Sequence, residues 1–137
     1  MERQIRVLTD IKDLDELLNG ARVDRTHVIA NPGKPTQLIV ELTRAMIERQ
    51  TTVQQGFFKR IKTPFSSCRL VFSSIRRVTT ESVEGAPPLT DGAVLSCEPV
   101  KGGYHLTIRG EGGTQIMLEL DALTGVFQDI GVPVETP

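Results

Sequence analysis

The sequence predicts a β-rich α+β fold: a mainly antiparallel curved sheet, or a partly closed barrel or roll, with one short N-terminal helix. Three observations carry this prediction. The C-terminal part alternates apolar and polar residues in successive runs punctuated by glycine: Leu95 and Cys97, then Tyr104, Leu106 and Ile108, then Ile116, Leu118 and Leu120. Strand side chains point to opposite faces in turn, so such runs make a sheet with one face on a core. Only one stretch combines helical apolar spacing with start and stop signals. Trp is absent and aromatics are 4% of the chain, so the core must be aliphatic, which suits Val, Ile and Leu on sheet faces.

Taken in order, residues 4–8 read as a short strand. Thr9 and Asp10 offer oxygens to cap a helix start, and Ile11, Leu14, Leu17 and Leu18 line one helical face. Asp10, Asp13, Asp15 and Glu16 favour the positive end of that helix and Gly20 supplies a stop, which places it at 11–19. Residues 22–30 read as a strand, and Asn31-Pro-Gly-Lys-Pro as a turn, since proline cannot sit in a central ladder. Residues 36–47 fit two periods: Leu38, Val40 and Leu42 make a strand face, whereas Leu38, Ile39, Leu42, Ala45 and Met46 make a helical one. The preceding turn and β-branched Ile39-Val40 favour a strand at 36–43, in a hairpin with 24–30, over a helix at 36–48.

Residues 51–62 and 69–79, rich in Val, Ile, Phe and Thr, read as strands, with Thr63-Pro-Phe-Ser-Ser as the turn between them. Phe57 and Phe58 must then take opposite faces, which sends one of them to the core. Residues 84–92 form a loop too short for a domain linker, so 1–137 is expected to be a single domain of seven to nine strands. An antiparallel meander follows at 93–121, and a last strand or turn at 124–130.

A one-residue slip would turn every apolar side chain of the meander outward. The register is therefore Leu95 opposite Ile108, Cys97 opposite Leu106, Leu106 opposite Leu118 and Ile108 opposite Ile116, with 110–114 as a loop. The outer face then carries Glu98 beside His105 and His105 beside Glu119. Ser96, Thr107 and Met117 form the next row, and Arg109 lies opposite Gln115. Two carboxylates flanking an imidazole favour its charged form, and His with carboxylates suits divalent metals. Glu98, His105 and Glu119 are thus candidate metal ligands, against the plainer reading of a solvated charge row.

The charge is divided unevenly. Residues 49–80 hold seven bases, Arg49, Lys59, Arg60, Lys62, Arg69, Arg76 and Arg77, with no acid, together with four of the five phenylalanines. Residues 81–137 hold nine acids and two bases, so the net charge of −1 conceals a basic middle and an acidic end. Bases interleaved with aromatics can meet phosphates and nucleobases. A sequence pI near 6.1 argues against a nucleic-acid protein, which usually shows a basic excess.

Other classes receive no support. Gly-Glu-Gly-Gly at 110–113 resembles a phosphate loop but precedes a strand rather than a helix. There is no paired-cysteine zinc motif, and no spacing ties His27 or His105 to a nucleophile; no cofactor is expected. No apolar run reaches the ~20 residues that cross a bilayer, and the first residues lack a signal peptide's apolar segment. Two cysteines are too few for a disulfide framework. A cytoplasmic protein without membrane contact is expected.

The expected function is a non-catalytic binding module. Its contact residues are Lys59, Arg60 and Lys62 with Arg76 and Arg77, and its partner is an acidic protein or another anionic ligand. One helix covers only part of a sheet, so self-association is expected as well. The competing expectation is a small-ligand β-barrel, or an enzyme with a pocket that sequence does not reveal.

Overall fold

The computed structural model describes residues 2–81, 94–110 and 112–134. Its elements are β1 (Glu2–Ile5), α1 (Leu8–Leu17), β2 (Arg22–Ile29), β3 (Thr36–Ala45), a 3-10 turn (Ile47–Arg49), β4 (Thr51–Gln55), β5 (Phe58–Lys62), β6 (Phe65–Glu81), β7 (Val94–Val100), β8 (Gly103–Arg109) and β9 (Gln115–Val134). The main sheet runs β2-β3-β6-β9-β8-β7, with β1 also on β9. Every pairing is antiparallel. The sheet is large and curved and does not close into a barrel. The loop expected at 84–92 lies outside the described residues.

The curvature has a local cause. β9 is one strand rather than a meander strand followed by a separate element at 124–130. Its first part pairs with β8 and its later part with β1, on the same edge. Between them the ladder with β6 jumps from Ser73 opposite Thr124 to Ile75 opposite Leu120. Three residues of β9 therefore face Ser74 alone, and Ser74 adopts a left-handed φ of 58°. Such bulges bend a strand and increase its twist.

The helix starts earlier than expected, with Val7 as N-cap. Asp10 still serves the helix start, but from the third helical position. Its carboxylate accepts the N–H groups of Arg6 at 2.9 Å and Val7 at 3.0 Å, which holds it below the usual carboxylate range. This is the reach-back half of a capping box; Val7 has no side-chain oxygen to supply the other half. Ile11 and Leu14 are buried. Asp15 accepts the backbone N–H of Leu95 at 2.8 Å, so the helix is tied to the edge strand β7.

Residues 36–45 are a strand. Leu38, Val40, Leu42 and Arg44 are buried in strict alternation, and the hairpin with β2 pairs Val28 with Leu38 and Thr26 with Val40. The predicted meander register holds at every position named above. One apolar cluster joins α1 to residues of every strand of the main sheet, from Ile5 to Phe127. Neither β4 nor β5 contributes to it.

Candidate interaction site: a hairpin outside the core

The site starts from a buried charge. Strand alternation carries Arg44 inward, where it is 1% exposed. Its guanidinium donates to both oxygens of Asp129 on β9, at 2.9 and 2.8 Å, and to both oxygens of Glu48, at 3.2 and 2.8 Å. It also lies 6.0 Å from the centroid of the Phe127 ring. A buried cation is tolerated only with this degree of pairing. Asp129, with Glu48 behind it, raises the already high pKa of Arg44. The Arg44 hydrogen bond in turn holds Glu48 below the usual carboxylate range.

Glu48 belongs to the 3-10 turn between β3 and β4, so this network fixes the root of the β4–β5 hairpin to the sheet. Two further bonds close the root: Met46 N–H to the Pro64 carbonyl at 2.8 Å, and Gln50 Nε2 to Thr63 Oγ1 at 2.9 Å. Sequence reading missed Arg44 as a key residue. The signal was present, because a base occupies the next inward position after Leu38, Val40 and Leu42.

From that root extends a separate two-stranded sheet. The expected single strand at 51–62 is broken by a two-residue turn, Gly56-Phe57. Gly56 has φ +61° while Phe57 keeps a negative φ, the arrangement of a type II′ hairpin turn. Five residues per strand carry the hairpin roughly 17 Å outward. Phe57 is fully exposed, Phe58 79% and Ile61 65%. The expectation that one phenylalanine is core is therefore wrong: among the described residues the hairpin packs against no other element that could bury it. Lys59 and Arg60 are exposed, and Lys62 is half-buried at the root end.

Alternation divides the hairpin's side chains. Phe58, Arg60 and Lys62 share one face with Val53 and Thr51; Lys59 and Ile61 share the other with Gln54 and Thr52. Each face thus carries both an apolar side chain and a base. The bases all stand on β5, while β4 is neutral.

The other predicted bases sit elsewhere. Arg76 and Arg77 lie toward the far end of β6, on the order of 35 Å along the strand from Phe65. Arg76 Nε meets Asp121 at 2.9 Å and its Nη2 donates to the Gly102 carbonyl at 3.1 Å, so it braces the bent segment of β9. Arg77 lies opposite Glu119 in the β6–β9 ladder. Arg69 flanks Glu41 at 3.9 Å, with Arg25 on the other side at 3.8 Å. Of the two, Arg76 is thus paired with the acidic end of the chain, while Arg77 is placed beside one of its acids.

Arg77 also extends the predicted outer row, which becomes Glu98, His105, Glu119 and Arg77 across β7, β8, β9 and β6. His105 Nδ1 is 3.8 Å from Glu98. Among the described residues no group of three or more His, Cys, Asp or Glu is gathered to hold a metal ion. Two shallow hollows flank His105. One, of about 290 Å³, is lined by Arg76, Tyr104 and Glu119 among others; the other, of about 380 Å³, by Ser96, Cys97 and Arg109 among others. Burial pushes the thiol of Cys97 up to about 11 and that of Cys68 up to about 12. Both stay protonated near neutral pH, which makes them poor nucleophiles.

Among the described residues no helix is long and apolar enough to cross a membrane. Compared with models of protein families, with characterised proteins and with solved structures, the chain has no match.

Proposed function

We propose that this protein is a non-catalytic binding module and that the β4–β5 hairpin is its arm, directed at an anionic partner. One observation carries the reading. The arm lies outside the core, yet it exposes Phe57, Phe58 and Ile61 beside Lys59 and Arg60. An isolated two-stranded hairpin is marginal in water, and exposed aromatics with adjacent bases are the composition of contact surfaces, where aromatic and Arg side chains carry much of the binding energy. The buried Arg44 network and the closed root fit the same use, because a contact element held at its base loses less entropy on binding.

The contact set is narrower than the sequence indicated. Lys59 and Arg60 belong to it, with Lys62 at the margin; Arg76 and Arg77 do not. Lys59 and Arg60 stand roughly 7–10 Å along β5 from its root, about one Debye length at physiological salt, so the acidic body cancels them only in part.

The test uses the intact protein and the variant Lys59→Glu/Arg60→Glu. Wild type is expected to be retained on immobilised polyglutamate or heparin at low salt and released as salt rises. The variant is expected to pass through with an unchanged melting temperature. Equal retention of both proteins would remove the arm from the reading.

A further inference from the structure

We propose that the partner is an acidic, extended segment of another protein, and that it binds as a third strand on the open edge of β5. This rests on the arm being the contact element and adds how it is used. Among the described residues β5 pairs only with β4, so its outer edge presents backbone N–H and C=O groups with no ladder partner. A strand added there satisfies them and gives the sheet a third member.

The side chains specify what kind of strand fits. Read along β5, Phe58, Arg60 and Lys62 project from one face and Lys59 and Ile61 from the other. Each residue of an added strand stands directly beside one of them, where opposite charges attract and like charges repel. The fitting sequence therefore sets Asp or Glu against Lys59, Arg60 and Lys62, and apolar residues against Phe58 and Ile61. The same bases act against the commonest wrong partner, the identical β5 of a second copy, since edge lysines and arginines prevent pairing between like edges. Neutral β4 has no such selectivity. A duplex or a lipid surface would meet the charges but has no use for a row of peptide groups.

The experiment uses the full chain and a blocked nine-residue peptide centred on Glu-Val-Glu-Glu-Val, which in antiparallel pairing sets Glu against Lys62, Arg60 and Lys59 and Val against Ile61 and Phe58, with the same peptide N-methylated at every amide nitrogen as control. The unmodified peptide is expected to bind, and amides of 58–62 are expected to gain protection from hydrogen exchange. The N-methylated control is expected to bind at least tenfold more weakly, because it keeps the charge but cannot form a ladder. Lys59→Glu/Arg60→Glu is expected to lose the Glu/Val peptide and gain a Lys/Val counterpart. Equal binding of peptide and control would overturn strand addition and leave an anion-binding arm. Binding of duplex DNA or of anionic vesicles through the arm, with none of the peptide, would overturn the partner class alone. If no anionic probe distinguishes wild type from the variant, the arm reading itself fails.

Discussion

Arg44 shows how one residue joins the interior to the surface. It is a base on the core side of β3, and its two carboxylate partners come from a 3-10 turn and from β9. Removing one member of a buried ion pair leaves the other charge uncompensated, which typically costs about 3–5 kcal/mol. Asp129→Asn and Arg44→Met are each expected to lower stability on that scale in urea titrations, and to loosen the arm's root. The pH dependence has a definite sign. Glu48 has a folded pKa below its ordinary value, so its contribution is present above that ordinary value and is lost as pH falls through the folded one. Urea midpoints from pH 6 down to pH 3 should fall more steeply for wild type than for Glu48→Gln. An equal slope would mean that the exposed Glu48 carboxylate gains nothing measurable from Arg44. Alternation alone put Arg44 inside; its partner Asp129 was hidden because it lies 85 positions along the chain.

At the scale of elements, reliability followed burial. The β7–β8–β9 register could be read before any coordinates, since one face must be dry and only one parity achieves that. β4 and β5 have no such face, so the rule that divided Phe57 from Phe58 assumed a core that is not there. Gly56 was the missed signal, a lone glycine before Phe57 in a Val- and Phe-rich stretch. Excision gives a direct test of the arm. Met46 already bonds Pro64, and Gln50 bonds Thr63. Replacing 51–62 with a short Gly-Ser turn should therefore cost no more than about 1 kcal/mol, in line with changes remote from a core. Thermal melts are expected to stay within a few degrees of wild type while retention on polyglutamate is lost. A collapse of the melt would show that the hairpin supports the fold, and its exposed phenylalanines would then need another explanation.

For the whole molecule, the overall charge says less than its placement. Among the described residues Asp121 sits on the sheet against Arg76 and Glu119 in a row with Arg77, while Lys59 and Arg60 stand apart on the arm. The curved sheet was legible from alternation, but its two longest strands were not, because the bulge at Ser74 and the bend at 121–124 break the period that identifies a strand. That architecture predicts how stability is distributed. β6 and β9 are the central strands and bury Leu70, Phe72, Leu118 and Phe127 almost completely. Their amides should exchange only through global unfolding, with protection matching the free energy from urea titration. Amides of 51–62 belong to a two-stranded sheet that shares no core residue with the rest, so they should exchange by local opening, orders of magnitude faster. The decisive comparison is between Leu70 and Ile61 in one native-state exchange experiment. Similar protection at both would show that arm and sheet unfold together, and the picture of an independent arm on a fixed root would have to be given up.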